Sequence, residues 1–309
     1  MSTYTVLFHK HCADGAASAL AAWLAIGDTE ARYIPCAYGD PLPEIERGSD
    51  VYMLDFTAKR AEILALAQIA GRITILDHHA TAAADLDGLP EVARNTLGAC
   101  EIRTTFDMDH SGCVLTWLHF HPTAPVPRLL ALIEDRDLWR FSLPGSRTLH
   151  YALSRYDDFR AMAPLVRHPD RLDIAIGEGG IIYGYLREQW RSIIARAGDR
   201  MLWVGEPVAH LRRAPSAALC PCPPQWFSEV GEAILTREHA PPEIAILYAD
   251  NERTGQRTYS LRSLPGGPDV ARIAAHFGGG GHPSAAGFRT SDTASAFEML
   301  FQRPESAAA

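Results

Sequence analysis

Basic residues are in short supply in this sequence of 309 residues: 29 lysines and arginines stand against 37 acids, a formal charge of −8. A broad grip on a long phosphate backbone normally needs the opposite excess, so long duplex nucleic acid is not an expected partner. A phosphate-bearing ligand is expected to be small and held locally. Apolar runs of the ~18–20 residues that a membrane-spanning helix requires are missing, so no membrane association is expected. Cysteine is sparse and scattered, at Cys12, Cys36, Cys100, Cys113, Cys220 and Cys222, and Met1–Lys10 carries no apolar secretory segment. That pattern argues against a disulfide framework and implies a reduced, cytoplasmic chain. Internal repeats and low-complexity tracts are lacking too.

What is present alternates short apolar runs with helical periodicity. Tyr4–Phe8 reads as a buried strand, and Ala16, Ala19, Leu20, Trp23 and Leu24 then fall on one helical face. Ala31–Pro35, Val51–Asp55 and Ile73–Leu76 read as further strands, with a helix marked by Ile63, Leu66, Ala67 and Ala70. Strands joined by helices in this way predict an α/β fold: a mainly parallel sheet flanked by helices on both faces. A strand follows at Glu101–Phe106, then a helix from an N-cap at Ser111 to Phe120, then one from Pro127 to about Trp139. The helical stretch Ile181–Ala195 reads as a connector, which divides the chain into a first domain at 1–178, a connector at 179–204 and a smaller α/β domain at 205–309. Within the last, the proline-rich Pro215–Pro224 reads as a loop, and Cys220-Pro-Cys222 inside it as loop residues, since a single CxC with no second pair is a weak metal signal. A helix near Ser228–Arg237, strands at Glu243–Ala249 and Thr258–Arg262, a helix at Pro268–Phe277 and a four-glycine run ending in His282 complete the pattern.

The acids and histidines fall in a telling place. His9, His11 and Asp14 follow the first strand, Asp55 ends the third, and Asp77-His78-His79 ends the fourth. Open parallel sheets bind ligands at the carboxyl ends of their strands, near the point where strand order reverses. Three sequence-distant clusters therefore converge on one rim. Bare carboxylates packed together repel and take up protons, so the convergence calls for a divalent metal. A mixed Asp/His set favours Mn²⁺ or Mg²⁺ over a structural Zn²⁺ site. Two such ions, ~3.5–4 Å apart, are the usual device for hydrolysing phosphate esters.

Asp77-His78-His79 after a strand resembles the signature of the DHH phosphoesterases. His282 in the segment Gly278–Gly287 looks like the glycine-rich motif of their DHH-associated C-terminal domain, and the two lie in the expected order. The resemblance implies an active site in the cleft between two domains, two Mn²⁺ (or Mg²⁺) ions, and hydrolysis of phosphodiester bonds in nucleotides or short oligonucleotides. It casts Asp55 as the metal-bridging acid, His78 as a ligand oriented by Asp77, and His79 as the group facing the substrate phosphate. Asp14 matches the last acid of the first motif. Asp135 matches the acid of the fourth, with Asp137 as its alternative. Arg262 resembles the phosphate-gripping arginine, and Gly280, Gly281 and His282 would contact the substrate. A phosphomonoesterase acting on a nucleotide bisphosphate and a non-catalytic nucleotide sensor are the competing readings. A homodimer is compatible with all of them.

The sequence departs from the family at its first motif. In His9-Lys-His-Cys-Ala-Asp14, Cys12 stands where the first acid belongs, and either His9 or His11 is the motif histidine. Cys12 is read either as a thiolate ligand, which shifts preference toward a softer metal such as Zn²⁺, or as an inert small residue beside a single tight ion, or as a mark of lost catalysis.

Overall fold

A computed structural model describes residues 4–91, 100–201, 211 and 214–301. It divides into two compact units, Met1–Gly184 and Tyr185–Ala309.

In the first unit, β1 (Tyr4–His9), β2 (Ala31–Cys36), β3 (Asp50–Leu54), β4 (Arg72–Asp77) and β5 (Glu101–Phe106) form one sheet in the order β2-β1-β3-β4-β5. Every pairing in it is parallel. The helices are α1 (Ala13–Ile26), α2 (Arg60–Leu66), α3 (Ala80–Asp85), α4 (Gly112–Phe120), α5 (Arg128–Asp137), α6 (Ser146–Leu153) and α7 (Ala163–Arg167). Alternate strand residues feed two cores. Val6, Phe8, Leu54 and Leu76 pack with Leu20, Val114 and Leu129. Leu7, Met53, Ile73 and Ile75 pack with Ile63, Leu86 and Leu89. Burial on both faces explains why these strands read as unbroken apolar runs and not as alternating ones. Each fully buried Leu, Ile or Met contributes about 1.5–3 kcal/mol over exposure, enough to hold the polar strand ends in place.

The helix read as Ile181–Ala195 is the C-terminal part of a longer one, α8 (Pro169–Ile194), and the boundary between the units falls inside it.

In the second unit, a six-stranded sheet runs β10-β11-β9-β8-β7-β6. Its strands are β6 (Gly198–Met201), β7 (Ser216–Pro221), β8 (Ile244–Asn251), β9 (Gln256–Arg262), β10 (Gly280–His282) and β11 (Ala285–Thr290). Among the described pairings of this second sheet, only β7–β8 is parallel. Helices α9 (Phe227–Leu235), α10 (Val270–His276) and α11 (Thr293–Phe301) accompany it. Tyr259, Leu261 and Ile246 pack against Ile273, Ala274 and Leu300. One expectation fails here: the proline-rich stretch holds a strand, β7, and is not all loop. Pro221 sits at the strand's last position, Pro215 lies just before the strand and Pro223 and Pro224 beyond it, so the ladder loses little.

Candidate metal centre

Strand β1 lies between β2 and β3, so the order of the sheet reverses beside it. His9 is its last residue, Asp55 directly follows β3, and Asp77 closes β4. All three stand at carboxyl ends on the rim where such sheets bind ligands.

Asp55 is 1% exposed and has φ +52°, a left-handed backbone that few residues other than glycine adopt. Its N–H donates to the Leu76 carbonyl at 3.0 Å, which fixes the turn. Such a conformation costs on the order of 1–3 kcal/mol and is held only where the surroundings over-determine it. Its effect is to split the carboxylate between two groups. Oδ2 lies 3.4 Å from His9 Nδ1, and Oδ1 lies 3.2 Å from His78 Nε2.

Around the first oxygen, His9, Cys12 and Asp55 offer donor atoms within 4.8 Å of one another. His78, which lies beside the second, forms another such group with Asp14 and Asp137, its Nε2 3.8 Å from Asp14 Oδ2 and 3.4 Å from Asp137 Oδ2. His9 is therefore the first-motif histidine that reaches Asp55. His11 is exposed, at φ +60°, and joins neither group.

Asp14 sits in the first turn of α1, 1% exposed. Its carboxylate accepts from the Gly112 N–H at 2.7 Å and the Cys113 N–H at 3.0 Å, buried donors at the start of α4 that have no partner within the helix. Ser111 occupies the N-cap as expected, but its side chain makes no capping hydrogen bond, and Asp14 does the capping from another helix. The approach leaves no room for a side chain at residue 112. A Cβ there would lie 2.5 Å from Asp55 Cβ and 2.9 Å from Asp14 Oδ2.

Two sequence assignments change. Asp135, the first choice for the fourth-motif acid, turns away to accept from the Ser142 N–H at 2.9 Å and the Leu143 N–H at 3.0 Å. Asp137, two residues on, reaches His78 instead. Asp77 does not hold the His78 ring. Its Oδ1 accepts from the His78 N–H at 2.7 Å and contacts His79 Nδ1 at 2.6 Å, while Oδ2 accepts from the Thr57 hydroxyl. The imidazole that Asp77 orients is His79.

The electrostatics follow from crowding acids in a buried place. Burial alone would raise the Asp55 carboxyl, yet the His78 and His9 imidazoles hold it well below the usual carboxylate range. Burial, with the charges of Asp55 and Asp137, pushes Asp14 well up, and burial with Asp55 raises Asp137. Burial opposes a charge on His78, but Asp55, Asp137 and Asp14 prevail and bring its imidazole to about 9. Left to themselves, these groups hold protons in order to coexist. His9 Nδ1 and Asp55 Oδ2 are both buried without a hydrogen-bond partner. Orphaned donor atoms facing each other in a carboxylate–imidazole set are what a divalent cation would satisfy. The residues fit a metal.

Thr57 and the α4 backbone are parts of the site that the strand-end pattern did not reveal. Tyr38 is a third, its ring centroid 5.2 Å from that of His9 and 5.9 Å from that of His79. It follows β2, so the rule that selected the other strand ends also covers it. A cavity of about 710 Å³ opens beside His9 and Cys12, lined in part by Tyr33, Tyr156, Phe159, Lys10 and Arg160.

In the second unit, the register pairs Arg262 with Ala285 and Ala285 with His282, so Arg262 and His282 stand in one row across three strands. The Arg262 guanidinium donates to the Ser228 hydroxyl at 3.3 Å and to the Leu261 carbonyl at 3.2 Å. Gly281 has φ +143°, and a Cβ on it would meet the Ala285 carbonyl at 2.5 Å, whereas one on Gly280 would meet nothing within 4 Å. Cys220 and Cys222 are buried and belong to no metal-competent group among the described residues.

Comparison with known proteins fits this architecture. The structure of exonuclease RecJ bound to manganese superposes with a TM-score of 0.50 at 16% identity, over 94% of this chain and 86% of that one. The five-stranded parallel sheet with flanking helices and a second, mixed-sheet unit is thus a RecJ-like two-domain α/β fold. A pGpG-specific phosphodiesterase, PggH from Vibrio cholerae, gives a TM-score of 0.48 at 13% identity over 96% of this chain and 97% of that one. In sequence, an uncharacterized protein of Acanthamoeba polyphaga mimivirus is 28% identical over 299 residues, covering 91% of this chain and 66% of its own length. The chain therefore spans about two thirds of that curated relative. No family model matches. No helix among the described residues is long and apolar enough to cross a membrane.

Proposed function

We propose that this chain is a DHH-type phosphoesterase that uses Mn²⁺ or Mg²⁺ to hydrolyse phosphodiester bonds of nucleotides or short oligonucleotides. The observation that carries the reading is the divided Asp55 carboxylate, one oxygen beside His9 in the group with Cys12, the other beside His78, whose Nε2 also meets Asp14 and Asp137. His9, Cys12 and Asp55 would hold one ion, and Asp14, Asp55, His78 and Asp137 the other. A bound divalent pair supplies neutralisation of phosphate charge and a water nucleophile at neutral pH.

The protein groups do the rest. Asp14, tied to the α4 backbone, and Asp55, locked in its turn, hold their oxygens in fixed positions, so no reorganisation is needed as charge develops. His79 keeps Nδ1 on Asp77. Burial works against a charge on that ring, but the Asp77 carboxylate prevails and raises the pKa of the imidazole. Nε2–H is then available to donate to a phosphate oxygen or to protonate the departing alkoxide. Arg262 and His282, with the backbone at Gly280 and Gly281, are the proposed contacts to the remainder of the substrate. The cavity of about 710 Å³ beside His9 and the net charge of −8 both favour a small substrate over a long polyanion.

The test joins metal analysis of the purified protein to a screen of dinucleotides, oligonucleotides of increasing length and nucleotide bisphosphates with added Mn²⁺. Cleavage of a dinucleotide to mononucleotides is expected, and Asp55→Ala should lose both metal and turnover, the latter by at least about a hundredfold. Release of inorganic phosphate alone would make the protein a monoesterase. Nucleotide binding without turnover in any divalent metal would make it a sensor.

A further inference from the structure

We infer that the two halves of the centre are built for different cations. The His9–Cys12–Asp55 half is a thiolate-bearing site for a borderline ion such as Zn²⁺ or Co²⁺, and the His78–Asp14–Asp137 half takes a hard ion. The inference rests on the metal-dependent reading above and deepens it.

The geometry supports a site and not just a lone thiol. Cys12 Sγ, a His9 ring nitrogen and an Asp55 oxygen lie within 4.8 Å of one another. Asp55, 1% exposed, aims an oxygen with no hydrogen-bond partner into this group, and the His9 Nδ1 opposite is also buried and unpartnered. Their 3.4 Å separation matches the edge of about 3.3–3.5 Å expected between nitrogen and oxygen ligands, each ~2.0–2.1 Å from a tetrahedral ion. Cys12 is the N-cap of α1, where burial and the charges of Asp55, Asp137 and Asp14 raise the thiol well above its usual range, so the sulfur gives up its proton only to a cation bound in its place.

The two donor sets differ in kind. One holds an imidazole, a sulfur and half of a shared carboxylate. The other holds an imidazole, two unshared carboxylates and the other half. Thiolate selects softer ions, and carboxylate-rich sets suit Mg²⁺ and Mn²⁺. Binding at the first half exchanges the thiol proton for a sulfur–metal bond, with the proton released to solvent.

Titration of the full-length protein with Co²⁺ tests this by spectrum. A sulfur-to-cobalt charge-transfer band should grow in and saturate. It should vanish in Cys12→Ser and Cys12→Asp and persist in Cys36→Ser. Cys12→Asp should keep the total metal stoichiometry while its preference moves from Zn²⁺ toward Mn²⁺. A measurement on the wild type guards against misfolded variants: Zn²⁺ should protect Cys12 from alkylation by iodoacetamide, read by peptide mass. Cobalt bound without the band, a band that survives loss of Cys12, or alkylation unaffected by Zn²⁺ would overturn the inference and leave a two-ion phosphoesterase standing. Failure to bind any divalent cation would overturn the metal-dependent reading itself.

Discussion

Replacing Gly112 by alanine probes whether the N-terminus of α4 really clamps the acids. The new Cβ would stand 2.5 Å from Asp55 Cβ and 2.9 Å from Asp55 Cα, so the helix must retreat by about 1 Å or more to restore ordinary contact. That shift stretches the 2.7 Å and 3.0 Å bonds from the Gly112 and Cys113 N–H groups to Asp14. Overpacking costs ~1–3 kcal/mol. Weakening a hydrogen bond to a charged group costs about 1.5–3 kcal/mol more. Alanine's helix propensity returns at most about 1 kcal/mol. The balance is a loss of about 1.5–5 kcal/mol, which for a unit of this size lowers Tm by roughly 3–20 °C. Differential scanning fluorimetry, run beside an Mn²⁺ titration by calorimetry, measures both effects. Metal affinity should fall as well, because Asp14 and Asp55 are both displaced. Gly280→Ala is the control: its Cβ meets nothing within 4 Å, and stability should stay within about 0.5 kcal/mol. A Gly112→Ala protein as stable as the parent, with unchanged metal affinity, would refute the clamp.

Asp137→Asn should weaken metal binding about 10–100-fold with little change in Tm, whereas Asp135→Asn should cost about 1–3 kcal/mol of stability through its Ser142 and Leu143 contacts and leave metal affinity intact; calorimetry and thermal melts separate them. Asp77→Asn should lower kcat more than metal content, since it unfixes His79 and not a ligand ring, as metal analysis beside steady-state kinetics would show. Burial, helped by the Arg136 charge, brings His150 down to about 3 from its usual 6.5, so the stability it confers is complete above pH 6.5 and is lost as pH falls toward 3. By pH 5 the loss is about 2 kcal/mol, and His150→Gln should flatten that part of the stability–pH curve in urea titrations. Adding Mn²⁺ to a hundred times its Kd should raise stability by about 2.7 kcal/mol, and chelation should reverse it.

How far the sequence reached follows from what each residue's position depends on. His9, Asp55 and Asp77-His78 were legible because a strand ends where its apolar run ends, and parallel strands deliver their ends to one rim. Asp135 and Asp137 were not separable. Two residues on a helix differ by roughly 200° in direction, so one faces the rim and the other the loop, and only the docking of α5 decides which. The aspartate in Asp77-His78-His79 serves the second histidine and not the first, a rotamer choice that no spacing encodes. Asp55 hides its left-handed backbone because it is not glycine. Proline content misled at β7, where an apolar run from Ser216 carried the strand up to Pro221.

Charge balance supports the difference between the two halves. Asp77 is matched by the His79 imidazole at 2.6 Å; beyond that pair, Asp14, Asp55 and Asp137 bring three carboxylates to the centre, and Cys12 as thiolate brings a fourth negative charge. Four negative charges match two divalent cations, so the filled centre buries no net charge, and the cost of desolvating so many acids is offset. Take away the thiolate, as in Cys12→Ser, and one cation is left half-compensated beside a shared carboxylate. Restore a charge with Cys12→Asp and the balance returns with a harder ligand. Loss of the second ion in the serine variant and its recovery in the aspartate variant would therefore separate a charge-compensating ligand from a bystander thiol. A bystander predicts that the two variants bind the same number of ions.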